Sequence, residues 1–211
     1  MIWLALCAPF AFLASAATAL AQVPPDAGPP PRVDIGGGYT IVAPTGPGWQ
    51  QTGSPASYYK PLGAEGHGLA VIAATGPSGI TRQEIIGAGE SKDANALVKL
   101  VSRFVGVAWK RHAAGLQEGR FEVVDTVNEM AGKGVMGDLV CAYSRIVARD
   151  RGAVVDGAPA RLRYVGYTCI EFPDMTVAAH VSYSERGREQ DLSDAAMAEG
   201  ERTARSLQRR K

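Results

Sequence analysis

Three histidines, His67, His112 and His180, are the first side chains in this chain that acid–base or metal chemistry would use. None stands three or four residues from another or from a cysteine, and neither HExxH nor CxxC occurs, so the spacing spells out no metal site. A site assembled from distant segments stays open, against the plainer role of surface or hydrogen-bonded side chains. His180 is the most suggestive of the three, because it alternates with Ala178 and Ser182 in a strand-like run and is expected opposite the apolar face. Ser57-Tyr58-Tyr59-Lys60 matches SxxK, in which a helix sets lysine beside serine. Here the four residues read as a strand running into Pro61, where positions three apart face opposite sides, and no KTG partner follows. Gly76-Pro77-Ser78-Gly79 lacks the GxSxG spacing and reads as a turn. The glycine-rich stretch from Gly63 to Gly68 precedes a strand instead of opening a helix, which makes it a hairpin loop and not a phosphate cradle. No catalytic residue, metal ligand or cofactor site follows from these patterns.

Cys141 and Cys169 carry more information. They lie in strand-like runs, Val135–Ala148 and Arg161–Phe172, separated by the polar stretch Asp150–Pro159. An antiparallel hairpin about that stretch sets Cys141 opposite Cys169, Tyr143 opposite Tyr167 and Val140 opposite Ile170. In an oxidising compartment the two thiols are expected to join, stabilising the fold by roughly 3 kcal/mol. The alternative is a pair of buried free thiols packed as small hydrophobes. Among the aromatic residues, Trp49, Tyr58, Tyr59 and Trp109 stand beside strand or helix ends, where they line either a groove or the core rim. Trp49, Tyr58, Tyr59 and His180 are therefore the expected ligand or partner surface. Arg202, Arg205 and Arg209 read as one helix face, able to meet an anionic lipid head group or cell wall, or simply solvated beside Glu199 and Glu201.

The elements that must position these residues follow from periodicity. Tyr39–Ala43, Ala56–Lys60 and Gly68–Thr75 read as three strands. Thr81-Arg82-Gln83-Glu84 is a capping box that starts a helix, weakened by Gly87 and Gly89. Ser91 or Asp93 recaps a main amphipathic helix bearing Leu97, Leu100, Val101, Phe104 and Ala108. Phe121–Met130, the two cysteine runs and Met175–Ser184 supply four more strands. A last helix carries Leu192, Ala196, Gly200, Thr203, Ala204 and Leu207 on one stripe, with acids at its start and arginines at its end as the helix dipole favours. The expected order is β-β-β-α-β-β-β-β-α: an α+β domain, a largely antiparallel β-sheet packed against two main helices.

Ahead of this domain, residues Met1 to Ala21 carry no charge and end in Ala19-Leu20-Ala21, a small-x-small site of the kind signal peptidase reads before Gln22. The expectation is a signal peptide over 1–21, a Pro/Gly-rich disordered leader over 22–37, and a single globular domain over 38–211 in the periplasm or secreted. The alternative is an uncleaved N-terminal membrane anchor, since the apolar run is long enough to cross a bilayer. Cys7 is poorly placed for lipidation, with Leu6 where a small residue is needed. Contact with the membrane is thus expected only transiently, through the signal peptide. Composition is that of a globular protein, 46% hydrophobic and 20% charged, and a net charge of +1 provides no electrostatic footprint for nucleic acid.

Pro44-Thr45-Gly46-Pro47-Gly48-Trp49 ends the first of these strands in a Pro-x-x-Pro-x-Trp motif. With the short strand pair, helix, meander and C-terminal helix that follow, the layout resembles the Mog1/PsbP-like α/β sandwich, a group that includes small exported bacterial proteins. That resemblance implies an accessory or binding role and brings no catalytic residues with it. The functional expectation is a non-catalytic binding or accessory module of the envelope, its partner an envelope protein or a small ligand. The alternatives are a periplasmic hydrolase with a discontinuous site and a carrier of a small apolar ligand, the latter requiring an open cavity between sheet and helix.

Overall fold

A computed structural model describes residues 31–53, 56–63, 66–117, 119–131, 139–155 and 157–210. The expected signal peptide, residues 22–30 of the expected leader and the Val135–Asp138 part of the first cysteine run lie outside them. Two antiparallel sheets make up most of the domain. Strands β1 (Arg32–Gly36), β2 (Tyr39–Val42) and β10 (Gln208–Arg209) form a small sheet in the order β1-β2-β10. The large sheet runs β3 (Gln50–Gln51), β4 (Ser57–Pro61), β5 (Gly68–Pro77), β9 (Val177–Gly187), β8 (Ala158–Glu171), β7 (Leu139–Val155) and β6 (Phe121–Ala131). Among the described residues there are three α-helices: α1 (Arg82–Glu90), α2 (Ala96–Gln117) and α3 (Asp194–Arg205).

The α+β class and the antiparallel pairing agree with the sequence expectation, while the helix count and the element order do not. The observed order is β-β-β-β-β-α-α-β-β-β-β-α-β. The capping box forms: the Glu84 amide donates to Thr81 Oγ1, and the Thr81 amide donates to the Glu84 carboxylate. Glu84 is also held by Arg103, and together these donors lower its pKa to about 2. Past Gly87 and Gly89 the chain leaves the helix at Ser91, and a separate α2 follows, so a single interrupted pattern becomes two helices.

Arg32–Gly36, placed in the leader by composition, is instead strand β1, pairing with β2 from Arg32 opposite Val42. Ile35 and Ile41 sit in the main core, and Gly36, Gly37 and Gly38 take φ of 91°, 57° and 81° to turn the chain between the strands. The glycine run that looked like a linker is a hairpin turn. The last helix also ends earlier than its stripe suggested. Ser206 caps it, Leu207 is buried, and Arg209 moves into β10, where it pairs with Glu171 and Asp174 instead of sharing a face with Arg202 and Arg205.

The cysteine hairpin has the expected register: Cys141 opposite Cys169, Tyr143 opposite Tyr167 and Val140 opposite Ile170. Cys141 and Cys169 are disulfide-bonded with an S–S distance of 2.08 Å, chemistry at home in an oxidising compartment. Among the described residues no helix is long and apolar enough to cross a membrane.

The two faces of the large sheet are covered differently. On one, α3 and the small sheet enclose the main core around Tyr39, Ile41, Cys141, Val165, Tyr167, Cys169, Val181 and Leu207. On the other, α2 packs Phe104, Val105 and Ala108 against Ala142, Ile170 and Ala178. It lies over β6, β7 and β8. The same face of β5 stays uncovered, with Ile72, Ala74 and Gly76 exposed. The site develops along that boundary between covered and bare sheet.

Candidate functional site

Strand periodicity places every second residue of β9, namely Ala178, His180, Ser182, Ser184 and Arg186, on the α2 side. Thr168, Gly166, Tyr164 and Leu162 of β8 pair with His180, Ser182, Ser184 and Arg186 on that same side. These residues floor a groove walled by the C-terminal half of α2 and open toward β5. Its first part, about 450 Å3, is lined by Ala74–Pro77, by Arg111, His112, Gly115 and Leu116 of α2, and by Tyr164, Thr168, Ala178 and His180. A second part, about 330 Å3, shares Leu116 and Tyr164 and reaches Tyr59, Phe121, Leu162, Ser184, Arg120, Asp150 and Arg186.

At one end of the groove lies a chain of hydrogen bonds. His112 Nδ1 is 2.8 Å from Ser144 Oγ, and its Nε2 is 2.7 Å from Thr168 Oγ1. Thr168 Oγ1 is 2.9 Å from His180 Nδ1, and Ser144 Oγ donates to Asn128 Oδ1 at 2.7 Å. The two imidazole centroids are 5.3 Å apart. Burial lowers the pKa of His112 to about 3, helped by the neighbouring His180, because an ion there would lose its hydration. Burial likewise lowers His180 to about 4, opposed by an interaction with the Tyr167 backbone. Both rings are neutral at pH 7.

Neutral rings and single-proton hydroxyls fix the direction of the chain. Ser144 spends its proton on Asn128, so it accepts from His112 Nδ1–H. His112 Nε2 is then bare and accepts from Thr168. Thr168, its proton spent, accepts from His180 Nδ1–H. His180 is left with its lone pair on Nε2, an acceptor for a ligand donor or a weak base, and with no second proton to give. Tyr164 stands beside His112 in an edge-on ring contact with centroids 6.2 Å apart. Its burial raises its pKa well above the ordinary phenol value, so it too stays neutral.

At the other end Asp150, fully buried, takes both carboxylate oxygens to Arg120 Nε and Nη2 at 2.8 Å each and accepts from Arg186 Nη1 at 3.3 Å. The Gly152 amide adds a fourth donor. Burial of Asp150 raises its pKa, but the guanidinium and amide donors outweigh it and the net direction is down. The carboxylate is therefore ionised and orients two arginines whose side chains are 48% and 37% exposed.

The four residues expected to share a surface do not meet. Trp49 and Tyr58 pack on the α3 side with Leu69, Val71 and Tyr183, and Trp49 Nε1 donates to Glu199 at 3.2 Å. Tyr59 and His180 lie on the α2 side, one in each part of the groove. The reason is parity: Tyr58 and Tyr59 are adjacent on β4 and must point to opposite faces. His180 shares its side with Ala178, Ser182, Ser184 and Arg186, opposite the apolar face of β9 that Ala179, Val181 and Tyr183 turn to the α3 side, as its alternation suggested. Trp109 packs under α2 and donates to the Tyr143 carbonyl. His67 staples the other face: it lies 3.1 Å from buried Glu185, which accepts from the Ser193 amide at the start of α3. Ser57 and Lys60 face opposite sides of β4, paired with Ile72 and Leu69, and make no SxxK site. Among the described residues no cluster of His, Cys, Asp and Glu is arranged to hold a metal ion.

His112, Ser144, Thr168 and Asn128 were not singled out by sequence reasoning as members of one site. A signal existed for the first: His112 follows Ala108 by four residues and Phe104 by eight, continuing the core stripe of α2 with a polar group. A polar residue in an apolar stripe needs a buried partner. Compared with known proteins, the chain matches no family model and no curated protein.

Proposed function

We propose that this chain is an exported, non-catalytic binding module of the cell envelope that holds a small apolar or amphipathic ligand in the groove between α2 and the large sheet. The observation that carries this is the groove itself: an open, mainly apolar channel with polar groups at its two ends, in a place where a solidly packed helix–sheet interface would have left no room. Export is supported by the uncharged N-terminal run with its Ala-Leu-Ala site and by the Cys141–Cys169 disulfide. An accessory role is also what the Mog1/PsbP-like resemblance implies. The test is a thermal-shift screen of the purified protein against envelope lipids and metabolites, repeated on Ala74→Trp, which puts a large ring on the exposed floor. A ligand that raises Tm in the wild type and not in the variant supports the proposal. A ligand whose effect survives Ala74→Trp places binding elsewhere.

A second reading, a hydrolase with a discontinuous site, draws on the His180 lone pair one hydrogen bond from Thr168. It predicts ester or amide turnover that His180→Gln abolishes. Turnover absent from the wild type, or unchanged in that variant, removes it.

A further inference from the structure

The two ends of the groove differ in how their positive charge is held, and that difference specifies where a ligand's head group sits. Arg120, Arg186 and Asp150 together carry one net positive charge, and Arg111 adds another along the helix wall. Among the described residues lining either part, Asp150 is the sole carboxylate, and it is already engaged by both guanidinium groups. After those bonds, Nη1 of Arg120 and Nε and Nη2 of Arg186 have no acceptor among the described residues. These donors are held in place by a buried anion, so little ordering entropy is left to lose on binding. Ser184 lines the same part and carries a further hydroxyl. Beyond it the wall is Leu116, Leu162, Phe121 and Tyr164, an apolar path toward the histidine end. His180 and Arg186 are six residues apart on the same side of β9, about 20 Å at strand rise.

We infer that the groove takes an amphipathic carboxylate, its head group on Arg120 and Arg186 and its apolar body along Leu116 and Tyr164 toward His112 and His180. This rests on the proposed binding role of the groove and narrows it to one ligand class. His180 offers only a lone pair, and Arg111, the cation lining the histidine part, is exposed and has no carboxylate in the groove to fix it, so the preorganised Arg120–Arg186 pair sets the orientation. A guanidinium–carboxylate contact is charge-assisted and separates an acid from its alcohol by roughly tenfold or more in affinity.

The experiment is isothermal calorimetry on the purified protein at pH 7 with decanoate and with decan-1-ol, on the wild type, Arg186→Gln and Ala74→Trp. The expected result is decanoate binding at least about tenfold tighter than decanol. That preference should shrink several-fold in Arg186→Gln and in raised salt, because the acid loses more affinity than the alcohol, and Ala74→Trp should remove both ligands. Equal affinity for acid and alcohol, both lost in Ala74→Trp, overturns the carboxylate inference and leaves the groove as a binding site. A preference for decanoate that Arg186→Gln does not reduce also overturns the inference, provided the circular dichroism of the variant matches the wild type. If Arg186→Gln fails to fold, Arg186→Lys keeps the charge but loses the fork, and unchanged decanoate affinity there overturns the two-donor contact. Binding of neither probe to the wild type overturns both the inference and the groove reading.

Discussion

The α3 face and the α2 face of the large sheet are built from the same strands and used in opposite ways. On the α3 side the core is closely packed, with only smaller cavities of about 200 and 250 Å3 beside α3. Gly200 lets the helix approach Tyr183 so closely that a Cβ there would overlap the ring, the disulfide joins β7 to β8, and the small sheet packs over β5. On the α2 side one helix covers part of the sheet, and the groove at its edge mixes apolar side chains with imidazoles, hydroxyls and guanidinium groups. The main core and the disulfide lie on the closely packed side, and the larger groove lies where the packing of α2 stops. A sheet can do both because alternate residues of one strand face different surroundings.

Removing the α3-side constraints should do the most damage. Cys141→Ala with Cys169→Ala opens a link across 28 residues and should cost roughly 3 to 4 kcal/mol, read as a drop in the denaturation midpoint that the wild type shows only under reductant. Gly200→Ala comes next: it gains helix propensity but overlaps Tyr183, and the net loss should be about 2 kcal/mol, measured by urea unfolding. A gain of stability in Gly200→Ala would show that α3 is less tightly seated than its packing implies.

Acid probes the other face. His112 and His180 have folded-state pKa values near 3 and 4, below the value of about 6.5 that an unfolded histidine has. The unfolded chain therefore takes up protons first as pH falls. Stability from these two groups is complete above about pH 6.5 and is lost as pH drops through 4 and then 3. His180→Gln should flatten the slope of unfolding free energy against pH between 6.5 and 4. An unchanged slope in that variant would mean that the ring is hydrated and titrates normally. The smallest effect is expected on the bare floor. Ala74→Trp adds bulk to an exposed position and should shift unfolding by no more than about 0.5 kcal/mol, while the same kind of change at Gly200 is not tolerated.

Much of this architecture could be read from local spacing. The expected register of β7 and β8 holds from Val140 opposite Ile170 to Asp150 opposite Ala160, although the turn itself lies nearer Cys169 and an irregularity between Asp150 and Val154 absorbs the offset. Thr81 and Glu84 announced their helix because a capping box is complete within four residues. The short strands β3 and β10 stayed hidden, since two residues cannot show a period, and β1 was masked by the glycines that turn it. Phase along a strand separated Ser57 from Lys60 correctly. Grouping Trp49, Tyr58, Tyr59 and His180 ignored that same phase.

By itself, then, the sequence determined the α+β class, the disulfide partners, the helix start and the stripes by which α2 and α3 bury one face, all of them consequences of spacing within one or two elements. Only the tertiary structure decided that His112 on a helix meets Ser144, Thr168 and His180 on three strands, and that Arg120 and Arg186 converge on Asp150. Periodicity tells which side of an element is buried. It does not tell which other element lies against it, and these contacts join residues 12 to 56 positions apart, so they exist only once the sheet order is set.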